Sequence, residues 1–249
     1  MALIPSLTAL ASRLPQPLVN AIKPIAMPFL RRRMKRLFSS FLSPGDLAFD
    51  IGAHNGDMAD VLLSLGARVV CVEPQPRCLR ELERRFGGKK SVIIVGEGVG
   101  EHEGELALSE CPDNPALSTF SDKWKTGRFS GVRWAGGAMA KITTLDSLIS
   151  RFGTPRFCKI DIEGFEPQAL RGLSTPVRHV SFEFTREFID DARLCADRLC
   201  SLGDARFRFS RYSEFSLEPK EWLPASGLFR EISMIKDPNL CGDIYARTE

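Results

Sequence analysis

From residue 45 onward, short apolar runs alternate with longer amphipathic segments. The runs at 47–49, 68–72 and 91–95 are short, and the last two are rich in Val and Ile, which is typical of strands buried on both faces of a sheet. Between them, residues 58–65 and 75–86 carry apolar positions three or four apart, the spacing of amphipathic helices. This alternation predicts an α/β fold with a mostly parallel sheet.

The second half of the chain continues the alternation. An apolar strand beginning at Phe157 ends in polar residues and leads into a helix predicted at 167–173. Further strands are predicted at 179–184, 206–209 and 243–247, with a helix at 186–202.

The stretch from 104 to 140 departs from this pattern. Residues 104–108 predict an extra strand in a hairpin, whereas 109–140 are irregular and rich in turn formers. Loops of this length usually serve as lids or binding segments, so we assign this one to the acceptor substrate. Its basic and aromatic residues suit a sugar or an anionic group, and the alternative is an aromatic cluster that folds the loop onto itself. These residues are Lys123, Trp124, Lys125, Arg128, Phe129, Arg133 and Trp134.

The first 42 residues form a distinct segment. Apolar residues at helical spacing (Leu7, Leu10, Leu14, Leu18, Ile22) are interrupted by four prolines (Pro15, Pro17, Pro24, Pro28), which predicts several short helices. The basic run 31–36 makes residues 29–41 a candidate for peripheral contact with an anionic membrane or a phosphate-bearing substrate. The alternative is a helix packed on the domain with its cationic face in water. We therefore divide the chain into a helical, basic extension at 1–42 and a domain at 43–249.

Composition narrows the class of protein. A chain of 249 residues with 43% hydrophobic and 26% charged residues can bury one sizeable core. The net charge of only +3 argues against a dedicated nucleic-acid binder, and no specific nucleic-acid partner is expected.

The seven cysteines form no C-x-x-C pair and have no His-rich companion, so we predict reduced thiols and no metal site. With no membrane-spanning apolar stretch and no secretory signal, we expect a cytoplasmic protein, with membrane contact limited to residues 29–41.

The stretch D-I-G-A-H-N-G at 50–56 lies between a strand and a helix and predicts a ligand-binding turn. A helix N-terminus offers free backbone N–H groups, while Gly52 and Gly56 allow positive φ and close approach of a ligand. The pattern is D-x-G-x-x-x-G and not the G-x-G-x-x-G of dinucleotide enzymes. An acid at the strand end, Asp50, would repel a phosphate and attract an ammonium group.

Glu73 completes the prediction of a cofactor. It ends the second strand about 20 residues after the turn, where an acid that binds ribose hydroxyls is expected. An amino acid joined to a nucleoside is S-adenosylmethionine, which is therefore the predicted cofactor. Glu97 follows the third strand, where an acid would accept a hydrogen bond from the adenine amino group or remain an ordinary exposed turn residue.

Three further carboxylates are candidates for catalysis. Asp161, Glu163 and Glu183 follow or end later strands, and ligands of open parallel sheets lie outside the carboxyl ends of the strands. Methyl transfer to an aliphatic hydroxyl needs a base, for which Asp161 is the first choice and Glu163 and Glu183 follow. In the alternative the three acids bind Mg²⁺; against it, strand alternation would point Glu163 away from Asp161, and Lys159 would pair with a carboxylate.

Five blocks resemble the FkbM family of S-adenosylmethionine-dependent methyltransferases. They are D-I-G-A-H-N-G at 50–56, V-E-P at 72–74, T-L-D-S-L at 144–148, K-I-D-I-E-G-F-E at 159–166 and G-D-I-Y-A-R at 242–247. The first block is common to many class I methyltransferases, whereas the third and fourth together are much more particular to this family. The resemblance covers roughly residues 45–248.

The resemblance implies a Rossmann-like class I methyltransferase with helices on both faces of a seven-stranded sheet. The implied strand order is 3-2-1-4-5-7-6, with strand 7 antiparallel. By residue, Asp50, Gly52, Asn55 and Gly56 match the cofactor loop, and Glu73 matches the ribose acid. The implied reaction is O-methylation of a sugar, glycan or secondary metabolite. The alternatives are a nucleic-acid (RNA) methyltransferase and a non-catalytic cofactor-binding protein.

Overall fold

The computed structural model describes residues 16–212 and 214–249. Within these ranges the chain forms seven α-helices: α1 (Gln16–Phe38), α2 (Asp57–Ser64), α3 (Pro76–Phe86), α4 (Leu145–Phe152), α5 (Glu166–Arg171), α6 (Ile189–Leu202) and α7 (Ala225–Met234). The strands are β1 (Leu47–Ile51), β2 (Arg68–Val72), β3 (Val92–Val95), β4 (Gly98–Val99), β5 (Gly104–Glu110), β6 (Ala135–Thr143), β7 (Phe157–Ile160), β8 (His179–Thr185), β9 (Ala205–Arg211), β10 (Glu218–Leu223) and β11 (Cys241–Thr248).

The main sheet has the order β3-β2-β1-β7-β8-β11-β9-β10. The pairs from β3 to β8 are parallel, and β11 is antiparallel to both β8 and β9. Seven of these strands follow the implied order, with the antiparallel strand β11 between β8 and β9, but the predicted number of seven strands was wrong. The sheet has eight strands because β10 adds an antiparallel edge strand, which we did not predict. Its sequence, EPKEWL, contains a proline and three charges, which suit an edge strand and hide it from a search for apolar runs.

Helices cover both faces of the sheet, as predicted. The first core cluster lies against α4, α5, α6 and α7, and the second lies against α1, α2 and α3. All five residues of β1 and all four of β7 are buried, because these central strands are covered on both sides. The carboxyl ends of the parallel strands therefore meet at one edge of the sheet.

A second sheet of three strands, β4-β6-β5, lies in the part of the chain between β3 and α4. β5 and β6 pair antiparallel, so the predicted hairpin strand at 104–108 is confirmed and extends to Glu110. Residues 135–140 belong to β6, whereas we predicted an irregular loop through residue 140. The sequence AGGAMA lacks the β-branched residues that mark a strand, and its pairing with β5 decides its conformation.

The described part of the N-terminal segment is one helix and not several short ones. Proline removes a hydrogen-bond donor, but its fixed φ is itself helical, so α1 continues through Pro24 and Pro28. Leu7, Leu10 and Leu14 lie outside the described residues. The C-terminal end of α1 is anchored, since Phe38 packs on Phe157 at a ring-centroid distance of 5.3 Å.

The seven cysteines are all free thiols, as predicted. Within the described residues, no helix combines the length and the apolar character that crossing a bilayer requires.

Candidate functional site

The loop after β1 is shaped by two glycines. Gly52 has φ +82°, and a Cβ at this position would collide with the backbone carbonyl of Asp161. Gly56 has φ +80°, and its Cβ would meet the ring of Phe86 on α3. The first glycine lets two strand ends approach each other, and the second lets α2 begin against α3.

Asp50 lies at the carboxyl end of β1 and is 1% exposed. Its Oδ2 atom has no hydrogen-bond partner among the described residues. Burial raises the pKa of Asp50 to about 6, against the opposing effect of the Lys159 ammonium. A buried acceptor left without a donor is costly unless a ligand supplies one, so Asp50 fits the predicted contact with a cationic group.

Glu73, which directly follows β2, holds the same loop in place through hydrogen bonds. Its Oε2 accepts a hydrogen bond from the backbone N–H of His54 at 2.9 Å, and its Oε1 accepts one from Gln75 at 2.9 Å. Burial raises the pKa of Glu73, while these hydrogen bonds oppose the rise. Each carboxylate oxygen retains a second lone pair, which leaves acceptor capacity for the two predicted ribose hydroxyls.

A first cavity of about 770 Å³, including its open mouth, lies above the carboxyl ends of β1 and β2. Glu73 and Glu97 line it together with apolar residues such as Val72, Phe120 and Ile162. Apolar walls with one acid after each of two adjacent parallel strands suit an adenosine. Glu97 also forms an ion pair with Arg151 at 2.8 Å.

A second cavity of about 1050 Å³, including its open mouth, adjoins the first. The two share Gly52, His54, Asp161 and Glu163 in their walls. Other residues of the second cavity come from every part of the fold: Met34, Asp50, Asn55, Lys159, Glu183, Tyr212, Phe215 and Asp243. A ligand spanning both cavities would therefore pass the shared residues.

The predicted catalytic acids meet at this boundary. One carboxylate oxygen from each of Asp161, Glu163 and Glu183 lies within 4.8 Å of the others. The expectation that Glu163 points away from Asp161 was wrong, because β7 ends at Ile160 and side chains no longer alternate in the turn that follows. Glu163 itself has φ +56°, an uncommon backbone conformation for a residue other than glycine.

The three acids differ in their charged neighbours and in their hydrogen bonding. Lys159 pairs with Asp161, as expected, and is buried. Burial raises the pKa of Glu163 well above its ordinary value, and the neighbouring Asp161 adds to the rise. Burial likewise raises the pKa of Glu183, with Glu163 the nearest contributor, and its Oε2 has no hydrogen-bond partner among the described residues. Oxygen donors this close together would also suit Mg²⁺, the alternative role considered for them.

The structure divides the predicted cofactor residues between the two cavities. Glu73 and Glu97 line the first, Asp50 and Asn55 line the second, and Gly52 lines both. Gly56 lines neither of them.

The long loop contributes to one of the two cavities. Ala116, Ser118 and Phe120 line the first cavity, and no residue of 109–134 lines the second. Trp124 is buried and stacks on Phe129 at 4.9 Å, which matches the alternative of an aromatic cluster. Three of its basic residues form ion pairs: Lys123 with Asp191, Lys125 with Asp122 and Arg133 with Asp113.

Two acids near the site escaped prediction from the sequence. Burial raises the pKa of Asp243, at the second cavity, to about 6, and that of Glu166, on α5, to about 7. Glu166 accepts a hydrogen bond from the backbone N–H of Ile162 at 2.9 Å. Glu166 ends the K-I-D-I-E-G-F-E block, and Asp243 lies in the G-D-I-Y-A-R block. Their places in these two blocks were the sequence signal that could have identified them.

The fold resembles that of solved methyltransferases. A TehB-like S-adenosylmethionine-dependent methyltransferase from Corynebacterium glutamicum has a TM-score of 0.44 and 12% identity, covering 87% of this chain and 88% of its own. Precorrin-6y C5,15-methyltransferase from Geobacter metallireducens has a TM-score of 0.45 and 10% identity, covering 88% and 87%. An rRNA methylase from Streptococcus thermophilus has a TM-score of 0.43 and 11% identity, covering 86% and 93%. Such distant similarities give no information about the substrate.

Sequence comparison identifies the family. No curated protein sequence matches the chain. The family model of the FkbM methyltransferase domain matches residues 50–208, which include the cofactor loop, Glu73 and the three clustered acids. The chain therefore belongs to the FkbM methyltransferase family and is an S-adenosylmethionine-dependent methyltransferase.

Proposed function

We propose that the protein methylates a hydroxyl group of a sugar, glycan or secondary metabolite. The observation that carries this proposal is the group of carboxylates at the boundary of the two cavities. An aliphatic hydroxyl must lose its proton as the methyl group arrives, and a carboxylate with a raised pKa is a suitable acceptor near neutral pH.

The residues present fit S-adenosylmethionine. Glu73 would hold the ribose, Glu97 the adenine side and Asp50 the ammonium group, while Gly52 keeps the backbone close. When bound, the cofactor supplies an electrophilic methyl group on its sulfonium.

Among the three acids, Glu163 and Glu183 are the better bases. Asp161 is already engaged in an ion pair with Lys159. Burial raises the pKa of both Glu163 and Glu183, and the neighbouring Glu163 adds to the rise at Glu183, so one of them readily takes a proton. We assign the base to this pair and give Asp161 the role of fixing Lys159 beside it.

Transfer of labelled methyl groups to a panel of sugars, glycans, secondary metabolites and RNA tests the proposal. Glu163→Gln and Glu183→Gln should each lower kcat/KM by about 10²- to 10⁴-fold, because an amide cannot accept the proton. Cofactor affinity should stay within about threefold of wild type. Glu105→Gln, at an exposed position of β5, is the matched control.

The same assay separates the rivals. Full activity in both variants would overturn the assigned base, and cofactor binding without turnover would support the non-catalytic alternative. Methylation of RNA and of no small molecule or glycan would support the nucleic-acid alternative. Loss of activity in EDTA with recovery in Mg²⁺ would mean that the three carboxylates bind Mg²⁺ and do not act as the base.

A further inference from the structure

Helix α1 has two chemically different faces along residues 27–38. Met34, Leu37 and Phe38 are buried in the second core cluster. The opposite side is exposed and carries Phe29, Arg32, Arg33, Lys35 and Arg36. Phe29 is 71% exposed, an unusual position for a phenylalanine, and it shares a helix face with Arg32, Arg33 and Arg36 because they follow at spacings of three, four and seven.

The exposed cations have no opposing charge nearby. Arg31 pairs with Asp60 of α2 and thereby ties α1 to the domain. By contrast, Arg32, Arg33, Lys35 and Arg36 form no ion pair within the described ranges. The chain contains no acidic residue before Asp46, so nothing in the segment itself neutralises them.

Charge is distributed unevenly along the chain. The first 45 residues contain seven basic and no acidic residues, yet the whole chain has a net charge of only +3. The rest of the protein is therefore net acidic. The cations of the N-terminal segment are therefore not offset by acids of the same segment, although the whole chain is close to neutral.

We propose that the exposed face of α1 binds the surface of an anionic lipid bilayer. An interfacial helix combines cations that contact lipid headgroups with an aromatic side chain that enters the acyl boundary, and Phe29 with the adjacent arginines matches this composition. Residues 1–30 are largely apolar and contain two charged residues, both basic, which also suits a segment next to lipid.

A nucleic acid fits this surface less well. Nucleic-acid-binding domains are usually basic over a broad surface, whereas the domain that follows α1 is net acidic. A nucleic acid would also gain little from a lone exposed phenylalanine beyond a single stacking contact.

Lipid binding would bring the second cavity next to the bilayer. Met34, on the buried side of α1, is part of the wall of that cavity. A helix is about 10–12 Å across, so the lipid surface and the cavity wall would be separated by roughly the thickness of one helix.

Co-sedimentation of the full chain with vesicles tests the proposal. Vesicles of phosphatidylcholine with 30% phosphatidylglycerol should bind the protein, whereas pure phosphatidylcholine should bind it at least tenfold more weakly. The triple variant Arg32→Glu, Arg33→Glu, Arg36→Glu should reduce binding by on the order of 100-fold, because each basic residue at an anionic surface contributes about fivefold. Phe29→Ala should reduce binding about fivefold, with the residual binding more sensitive to salt.

A control variant changes the net charge equally at a distant surface. Lys220→Glu, Arg230→Glu and Lys236→Glu substitute three exposed cations of β10, α7 and the segment after it. This variant should bind vesicles within about threefold of wild type if the α1 face is responsible. Circular dichroism of both variants checks that they fold, and a milder triple Arg→Gln variant at 32, 33 and 36 should bind at an intermediate level.

Three results would overturn the proposal. The first is equal vesicle binding by wild type and both triple variants. The second is no preference for phosphatidylglycerol over phosphatidylcholine. The third is binding of a mixed-sequence RNA, lost in the α1 variant, together with no binding to vesicles.

Discussion

The two adjoining cavities differ in the hydrogen bonding of their buried carboxylates. In the first, Glu73 is buried but each of its oxygens accepts a backbone N–H at 2.9 Å. In the second, Asp50 and the partly buried Glu183 each have a buried oxygen atom that has no partner among the described residues. In the first cavity the backbone satisfies the carboxylate oxygens of Glu73, whereas in the second cavity a ligand must supply the missing hydrogen-bond donors.

The proposed function accounts for this difference. A cofactor that is the same in every turnover benefits from a loop that is already braced, since less conformational freedom is lost on binding. The acids that handle a proton need a raised pKa, which requires that they remain unneutralised. Lys159 is the one buried cation of the described cluster, and it pairs with Asp161.

The largest effect on cofactor affinity should come from Glu73→Gln. Oε1 of an amide can still accept one backbone N–H, but its NH₂ group would face the other donor, so the loop must shift. We expect cofactor affinity to fall about 100-fold, the result of one unsatisfied buried donor and a displaced loop. Calorimetric titration of S-adenosylmethionine measures this.

Glu183→Gln provides the contrast to this experiment. Its side chain lines the second cavity, so cofactor affinity should change by no more than about threefold. Equal losses in the two variants would mean that the cavities are not separate functional units.

Glu166→Gln should stabilise the fold, but only above mildly acidic pH. Burial raises the pKa of Glu166 to about 7 from an unfolded value of about 4.3, so the native state binds the proton more tightly and loses stability as pH rises through this range. A glutamine keeps the acceptor for the Ile162 N–H without the charge. The free energy of unfolding in urea should rise by roughly 2–3 kcal/mol at pH 8 and remain unchanged at pH 4.

Glu105→Gln, at an exposed position, serves as the control and should leave stability unchanged at both pH values. A gain of the same size at pH 4 and pH 8 would refute the electrostatic origin. Because the charge of Glu166 also raises the pKa of Glu163 and Glu183, the variant should shift the acid limb of the activity profile to lower pH.

Glu97→Ala should have the smallest effect. The carboxylate lines the first cavity but is already paired with Arg151, so one hydrogen bond to adenine is the most it can lose. We expect cofactor affinity to fall by less than tenfold. Glu101→Ala removes a comparable ion pair, with Arg171, outside either cavity and should leave the affinity unchanged. A 100-fold loss of cofactor affinity in Glu97→Ala would mean that cofactor binding in the first cavity depends on Glu97 as strongly as on Glu73.

Local sequence patterns predicted most of the fold. The strands β2 and β7 and the helices α3 and α6 stand out because burial on two faces or on one face leaves a clear period of apolar residues. β10 and α7 do not stand out, since β10 is polar and α7 follows it directly without a separate apolar run. β6 was missed in its first part because pairing with β5, and not its own glycine-rich sequence, makes it a strand.

The site could be predicted only in part. Asp50, Glu73 and the acids after β7 could be proposed from their positions at strand ends, because parallel strands bring those ends to one edge. Their grouping into two cavities could not, since Met34, Phe215 and Asp243 reach the second cavity from distant parts of the chain. The cavity that the long loop lines could not be predicted for the same reason, because it depends on how β5 and β6 fold back.

The sequence by itself determined the family, through short motifs, and most of the strands and helices, through periodic burial. The strand order was implied by the family resemblance. Only the tertiary structure decided which carboxylates are satisfied and which are not. A side chain's hydrogen-bond partners and its distance to other charges depend on residues far away in the chain. The pairing of Lys159 with Asp161 is therefore a property of the folded molecule, and so are the buried oxygens of Glu183 and Asp50 that have no partner among the described residues.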